Sequence, residues 1–260
     1  MNVLVVGDIV GRPGRTAILN NIKNIKKQYE PDLIIINAEN SAGGFGITPE
    51  IADNFLNQGV DVITTGNHVW RQKDIKNYLD MEERIIRPIN FPPGIPGRGS
   101  VVIEKNGVKY AVINLIGRIF MEPMDCPFRV VSKEIKNLKD EVDIIIVDFH
   151  AEATSEKIAM GWHLDGKTAL VFGTHTHVQT ADERVLPGGT AYITDIGMTG
   201  PINSVIGMEK NKVLKRFLTG MPYKFDVAEG ETRIEGAIAE LSTVTGKANK
   251  IMRLQIMVKQ

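Results

Sequence analysis

Histidines, acids and amides stand at the ends of short apolar runs in this 260-residue chain. Each run is rich in Val and Ile, which predicts a buried β-strand. The carboxyl ends of parallel strands meet along one edge of an open α/β sheet, where ligands bind. We therefore expect polar side chains from separate segments to converge on one site. The candidates are Asp8, Glu39, Asn40, Asn67, His150, His175 and His177.

This set of side chains offers oxygen and imidazole nitrogen ligands but no sulfur. Such ligands suit Mn²⁺, Fe or Zn²⁺, and the lack of thiolates argues against a structural zinc site. The candidates are too many for one tetrahedral ion and fit two ions that share a carboxylate bridge. Two ions roughly 3.5–4 Å apart can hold a phosphate group during in-line displacement at phosphorus. The set therefore predicts hydrolysis of a phosphoester.

Each candidate also has an ordinary structural interpretation. An acidic or amide residue after a strand is commonly a turn or cap residue, and a lone histidine such as His150 commonly forms a hydrogen bond within a core. His175 and His177 share a face in an extended chain, and a loop or bulge would also bring them together. The conjunction of all the segments favours a shared metal site.

Other catalytic motifs are missing from the sequence. The glycines at positions 7, 11 and 14 match neither the dinucleotide fingerprint nor a P-loop. Ser41 and Ser155 lack a nucleophile-elbow pattern, which argues against a serine hydrolase. Cys126 is the single cysteine, so an internal disulfide and a multi-cysteine metal site are excluded.

The composition is that of an ordinary globular protein. The chain has 31 basic and 31 acidic residues, and its formal net charge is zero. Neutrality argues against dedicated binding of duplex nucleic acid, which usually selects a basic face. No apolar run approaches the roughly 20 residues of a membrane span, and the N-terminal run lacks the basic flank of a signal peptide. We expect a cytoplasmic protein without a membrane partner, and a homo-oligomer is left open.

Strands and helices must alternate to position the candidates. Helical spacing after Pro13 and after Pro49 places helices between the first three strands. Asn106-Gly107 between two strand-like runs predicts a hairpin. The pattern predicts an α/β fold with two mixed sheets, as one domain over residues 1–260. Continuous apolar runs predict strands covered on both faces at residues 3–6, 33–36, 62–65, 144–147 and 169–172.

The motifs, in their order along the chain, resemble those of the calcineurin-like metallophosphoesterases. The matching segments are Gly7-Asp8, Gly66-Asn67-His68, the lone His150 and Gly173-Thr174-His175-Thr176-His177. Two positions depart from the usual pattern: Val10 stands where histidine is common, and Glu39 stands where aspartate is common. Those departures are similar to the YmdB-like branch, as are the longer segments 7–14, 148–157 and 173–183.

The resemblance implies a four-layer α/β/β/α sandwich of two mixed β-sheets flanked by helices, with two metal ions at the strand ends. The implied ions are iron or manganese, and zinc is also compatible. The implied ligands of one ion are Asp8, Asn40 and His177. The implied ligands of the other are Asn67, His150 and His175, with Glu39 bridging both.

The resemblance also implies a substrate and a mechanism. The YmdB-like branch is associated with 2′,3′-cyclic-nucleotide phosphodiesterase activity, so the expected substrate is a small phosphodiester of that kind. A metal-bridging hydroxide would attack phosphorus, and His68 would be the general acid for the leaving ribose oxygen, a role that suits a pKa of about 6.5. Two alternatives stay open, namely a phosphomonoesterase or nuclease that uses the same site, and a regulatory protein that retains the metals.

Overall fold

The structure, a computed structural model, describes residues 1–258 of the chain. These residues form two β-sheets and their flanking helices. The strands are β1 Asn2–Val6, β2 Asp8–Ile9, β3 Leu33–Asn37, β4 Val62–Thr64, β5 Ile85–Ile86, β6 Ser100–Lys105, β7 Val108–Ile116, β8 Ile144–His150, β9 Leu170–Thr174, β10 Arg184–Val185, β11 Ala191–Ile193, β12 Met198–Pro201, β13 Thr232–Leu241 and β14 Ala248–Val258. The α-helices are α1 Gly11–Tyr29, α2 Pro49–Asn57, α3 Ile75–Met81, α4 Pro127–Leu138, α5 Thr154–Leu164 and α6 Lys210–Thr219.

The first sheet is built around four parallel strands. β1 pairs with β3, β3 with β4, and β4 with β5, all in parallel. β13 runs antiparallel to β1 on one edge and to β14 on the other. β12 pairs with the start of β13 and, in parallel, with β2, which follows β1 directly along the chain. The sheet is therefore mixed, as predicted.

The second sheet is also mixed. β7, β8, β9 and β11 are parallel neighbours, and the edge strands β6 and β10 are antiparallel. The β6–β7 hairpin turns at Asn106 and Gly107, whose φ angles are 53° and 75°. Positive φ at both central residues is what a type I′ turn requires. The predicted hairpin is confirmed.

Three apolar cores separate the layers of the molecule. Leu33 and Ile35 of β3 face the core between the two sheets, whereas Ile34 and Ile36 face the core under the helices of the first sheet. Helices α4 and α5 pack through residues such as Val131 on the outer face of the second sheet. Strands covered on both faces carry continuous apolar runs for this reason. The predicted four-layer α/β/β/α sandwich is confirmed, and because both sheets share the inner core we propose that the chain is one domain.

Residues 202–231, between β12 and β13, lie outside the four layers and are here called the 202–231 segment. They contain helix α6, in which Val213 is the buried residue. The segment is tied to itself by a hydrogen bond from the Ala228 N–H to the Gly207 carbonyl over 2.9 Å. Gly207 lies against Val10, so that a Cβ at this glycine would come within 2.6 Å of Val10 Cγ1. The segment thus packs beside the first strand ends. No helix within residues 1–258 is long and apolar enough to cross a membrane.

Candidate metal centre

Polar side chains from both sheets meet at the end of the sandwich where the parallel strands finish. Asp8 lies in β2, and the amides and Glu39 follow β3 and β4 in the first sheet. His150 is the last residue of β8, and the other two histidines follow β9 in the second sheet. Contacts of 3.7 Å or less connect each predicted ligand to another. The residues brought together are Asp8, Glu39, Asn40, Asn67, His150, His175 and His177.

The Nε2 atom of His150 lies at the centre of this cluster. It is 3.0 Å from Asn67 Oδ1, 3.0 Å from Glu39 Oε1 and 3.0 Å from His175 Nδ1. Ligand atoms of Glu39, His150 and His175 all lie within 4.8 Å of one another. Such spacing is compatible with bonds of about 2.0–2.2 Å to one shared ion.

Hydrogen bonds determine which ring nitrogen of His150 carries a proton. The Nδ1–H group donates to Thr174 Oγ1 over 2.9 Å, and the Thr174 hydroxyl donates in turn to Asp148 Oδ1 over 2.7 Å. The Thr64 hydroxyl donates to the other oxygen of Asp148 over 2.5 Å. All four residues are fully buried. With Nδ1 protonated, the His150 ring directs Nε2 to the cluster, where this atom offers either a lone pair to a metal ion or a second proton to Glu39.

The atoms around that lone pair are themselves acceptors. Asn67 Oδ1 and Glu39 Oε1 carry no proton. His175 Nδ1 is unprotonated as well, because the opposite ring nitrogen faces Glu152 Oε2 at 3.2 Å and carries the proton there. Electron-rich atoms in contact repel one another unless a positive charge lies between them. The donor set itself therefore fits a bound metal cation.

A second group of acceptors adjoins the first. Asp8 Oδ2 accepts a hydrogen bond from the His175 backbone N–H over 3.1 Å, while Oδ1 is buried without a hydrogen-bond partner in the described chain. That Oδ1 lies 3.7 Å from His177 Nε2. His177 Nδ1–H donates to the Ile206 carbonyl over 3.0 Å, which leaves Nε2 as an acceptor. Asn40 Nδ2 donates to that Nε2 over 3.0 Å. The unpartnered carboxylate oxygen of Asp8 is a second point at which a cation would be stabilised.

His68 lies at the border of the cluster. Its backbone N–H donates to Glu39 Oε2 over 3.0 Å, and its Nδ1–H donates to Asn40 Oδ1 over 2.8 Å. The imidazole is 19% exposed, whereas the Glu39 side chain is fully buried. The ring of Phe45 meets the His68 ring edge-on at 5.0 Å between centroids. Among residues 1–258, no hydrogen bond uses His68 Nε2, so this nitrogen is free to exchange a proton.

Burial and neighbouring charges shift the pKa values of the ionisable residues in the cluster. Burial acts to lower the pKa of His150, but the Glu39 carboxylate outweighs it and raises this pKa to about 9. Burial and the charge on His150 lower the pKa of His175 to about 3. Burial also raises the pKa of Asp8, against the charges of His177 and His150. The cluster therefore favours one positive charge beside Glu39, which a proton on His150 or a metal ion can supply.

The segment that carries two of the histidines is bent rather than extended. His175 and His177 have φ angles of 95° and 65°, a region that L residues rarely adopt. Thr176 between them donates to Asp195 Oδ2 from its backbone N–H over 3.2 Å and from its hydroxyl over 2.7 Å. Lys157 Nζ donates to the same oxygen over 2.6 Å. A buried ion pair thus holds this bend, and the loop interpretation of the sequence applies rather than the extended one.

Three residues that support the cluster were outside the predicted set. Asp148 lies two residues before His150 in β8, so the two side chains share a face of the strand. Asp195 follows strand β11, just as the predicted ligands follow theirs. Either position could have been identified by the rule that located the proposed ligands. Thr174, the last residue of β9, has no comparable signal.

The chain matches the family model of YmdB-like proteins over residues 4–254. It is also similar to a 2′,3′-cyclic-nucleotide 2′-phosphodiesterase from Bacillus subtilis (strain 168). The two are 47% identical over 256 residues, which cover 98% of this chain and 97% of that protein. The similarity therefore extends over nearly the full length of both.

Two solved structures share the fold. A hypothetical protein from Thermus thermophilus has a TM-score of 0.93 and 39% sequence identity, with 99% of each chain covered. A novel phosphatase from Mycoplasma pneumoniae has a TM-score of 0.93 and 38% identity, covering 99% of this chain and 93% of that chain. Both likenesses include the strand ends at which the cluster lies.

Proposed function

The chain belongs to the YmdB-like protein family, and from this we propose that it is a metal-dependent phosphodiesterase acting on 2′,3′-cyclic nucleotides. The observation that carries the proposal is the contact of acceptor atoms around His150 Nε2, where Asn67, Glu39 and His175 each approach to 3.0 Å. The full-length similarity to a 2′,3′-cyclic-nucleotide 2′-phosphodiesterase supports this substrate class.

We assign two ions to the centre. Acceptor geometry supports one ion among Asn67, His150 and His175, and the unpartnered oxygen of Asp8 supports a second ion beside it. Glu39 Oε1, which is also buried without a hydrogen-bond partner in residues 1–258, is the proposed bridge. Iron and manganese are the proposed ions, and zinc also suits the donor set. The proposed ligands of the second ion, apart from the bridge, are Asp8, Asn40 and His177, whose Nε2 would exchange the hydrogen bond from Asn40 Nδ2 for the ion.

Asn40 has two roles in this proposal, as a metal ligand and as a hydrogen-bond partner of His68. Its Oδ1 already accepts a hydrogen bond from His68 Nδ1–H over 2.8 Å. An amide oxygen has two lone pairs, so the same atom can also face a cation. A cation on one lone pair and the His68 N–H on the other would together fix the position of the Asn40 amide. Asn40 thereby connects the metal centre to the proposed acid.

The bound ions supply charge neutralisation of the phosphate and a water molecule of lowered pKa as nucleophile. His68 is the proposed general acid. Since Nδ1–H is engaged by Asn40, the proton that His68 delivers is the one on Nε2. We place the leaving 2′-oxygen of the ribose beside this nitrogen. The attacking water gives up a proton to solvent, and its oxygen forms the new bond to phosphorus as the P–O2′ bond breaks. The 2′-oxygen takes the Nε2 proton of His68, and His68 regains a proton from solvent, which gives a 3′-phosphate.

The test is hydrolysis of adenosine 2′,3′-cyclic phosphate by the Mn²⁺-loaded protein, followed as formation of adenosine 3′-phosphate. Glu39→Gln removes the charge of the bridge, and we expect it to lose turnover and metal together. Glu104→Gln, on the exposed face of β6, is the matched control and should leave both unchanged. Metal content is measured for each protein by elemental analysis.

Two results would contradict the proposal. Full activity of Glu39→Gln with two bound ions would exclude the bridging role. Failure of the wild type to hydrolyse the cyclic nucleotide, with two ions bound, would reject this substrate and favour a phosphomonoester, a longer nucleic acid or a regulatory role.

A further inference from the structure

A groove of about 1100 Å³ lies between helix α1 and the 202–231 segment. Arg12 and Thr16 of α1 line one side, and Tyr223 and Phe225 line the other. Phe45, from the loop after β3, lines the groove as well. None of these residues belongs to the proposed metal centre, so the groove has no part in the reaction described above.

The groove adjoins the metal centre through two contacts. Phe45 is 38% exposed, and its ring also meets the ring of His68 at 5.0 Å between centroids. The Gly11 N–H, at the start of α1, donates to the Asn40 carbonyl over 2.9 Å, which places Arg12 next to the same loop. A substrate whose leaving oxygen lies at His68 would therefore lie beside the groove.

The lining combines aromatic rings with basic groups. The Arg216 guanidinium lies 5.2 Å from the centre of the Phe225 ring. Arg12, Arg216 and Lys224 are the basic residues of the lining, against the acidic Asp226 and Glu229. The charge of Asp226 is already paired with that of Lys212. Proteins bind the bases and phosphates of single-stranded nucleic acid with aromatic rings beside basic groups.

We propose that this groove binds the nucleotide that precedes the cyclic phosphate in a short oligoribonucleotide, so that the preferred substrate is longer than a mononucleotide. The inference rests on the proposed function, because it places the cyclic phosphate at the metal centre. The base would stack on the rings of Phe45 and Phe225, and the connecting phosphate would meet Arg12.

The size of the groove supports an oligomer. Pockets for small molecules have volumes of about 300–1,000 Å³, and this groove reaches about 1100 Å³ in addition to the phosphate site itself. Cyclic phosphate ends form on RNA when a 2′-hydroxyl attacks the adjacent phosphodiester. The reaction class that would supply the substrate is therefore cleavage of RNA by transesterification.

The experiment compares kcat/KM for two substrates, adenosine 2′,3′-cyclic phosphate and the adenosine dinucleotide with the same cyclic end. We expect the wild type to favour the dinucleotide at least tenfold. Phe225→Ala removes a stacking surface and should reduce this ratio at least fivefold. Thr16→Trp fills the groove from α1 and should reduce it as well.

Trp162→Ala is the matched control. Trp162, on helix α5, is also an exposed ring with a guanidinium near it, that of Arg184 at 5.7 Å. It lies outside the groove lining, so the wild-type ratio should persist in this variant. A wild-type ratio near one, or a ratio that neither groove variant changes, would overturn the proposal.

A binding measurement separates this proposal from the proposed function. Calorimetric titration of Mn²⁺-loaded protein compares adenosine 3′-phosphate with the adenosine dinucleotide 3′-phosphate. If neither cyclic substrate is hydrolysed, the proposed function fails. The proposed binding role of the groove is still supported if the dinucleotide binds at least tenfold more tightly than the mononucleotide and Phe225→Ala removes this difference. Equal affinities for the two ligands would overturn the proposed nucleotide binding in the groove, whether or not the cyclic substrates are hydrolysed.

Discussion

Lys157 Nζ lies 2.6 Å from Asp195 Oδ2, and both side chains are almost completely buried, at 2% and 1% exposure. The same carboxylate oxygen accepts two hydrogen bonds from Thr176, and its partner Oδ1 accepts one from the Gly197 N–H over 2.8 Å. Thr176 lies between two proposed metal ligands, so we expect the ion pair to position both of them. A buried pair that holds a strained bend beside the site has a positioning role.

We expect Asp195→Asn to destabilise the protein and weaken metal binding together. Loss of one partner leaves Lys157 as an uncompensated buried charge, which costs about 3–5 kcal/mol. The free energy of unfolding is measured by urea denaturation, and Mn²⁺ affinity by calorimetry. Asp140→Asn, which removes an exposed acid beside Lys139, is the control and should change neither quantity. Normal Mn²⁺ affinity in Asp195→Asn would show that the pair supports the fold alone.

Thr174→Val removes the hydroxyl that connects His150 to Asp148. The substitution keeps the shape of the side chain but takes the acceptor from His150 Nδ1–H, so the ring orientation is no longer fixed. Groups of this kind typically contribute about 10–100-fold to metal affinity. We expect a loss of Mn²⁺ affinity in that range by calorimetry, with a folded protein by circular dichroism. Thr243→Val, at an exposed turn, should bind as the wild type does.

His68→Ala tests the proposed acid. His68 is not among the proposed ligands, so both metal ions should remain bound by elemental analysis. Loss of a general acid lowers turnover by about 10²–10⁴-fold, and we expect a decrease of that size with 2′,3′-cyclic AMP. His163→Ala is the matched control, since His163 contacts Ser132 through Nε2 on the distant helix α5. Loss of metal from His68→Ala, or normal turnover, would refute the assigned role.

Asp182 should make stability depend on acid pH. Burial acts to raise the pKa of Asp182, but hydrogen bonds from the Thr180 hydroxyl and from Thr194 lower it. A carboxyl whose folded pKa lies below its unfolded value, about 3.9, adds stability above that value. This contribution is lost as the pH falls through the folded pKa. Urea denaturation should show Asp182→Asn less stable than the wild type at pH 7, with a difference that shrinks on acidification, and a constant difference would contradict this assignment.

The convergence of the proposed ligands could be predicted from the sequence because these residues lie at, or just after, the ends of predicted strands. β3 reads Leu-Ile-Ile-Ile-Asn, and the side chains of its apolar residues alternate between two cores. A continuous run therefore indicated a strand covered on both faces, and the polar residues after it marked the edge of the sheet. The same reasoning located Asp8 and His150.

Other elements had no such pattern. Helix α5 buries Glu156 and Lys157 alongside its apolar residues, so its inward face does not look apolar in the sequence. β12 contains Gly200 and Pro201, which are poor strand formers. The pairing of Lys157 with Asp195 depends on how α5 packs over the second sheet, and no local spacing encodes it. The groove likewise forms only when the 202–231 segment folds back beside α1.

The order in which the chain is made has a consequence for the first sheet. Asn2 of β1 lies opposite Glu240 of β13, so β1 can pair with β13 only after the residues between them have been synthesised. Asp8, in β2, pairs beside Met198 of β12, and β12 in turn pairs with β13. Pairings between distant parts of a chain form slowly. The proposed metal centre is therefore completed only after β12 and β13 have been made. A ribosome-bound fragment that stops before β12 should carry His150, His175 and His177 but bind metal more weakly than the wild type.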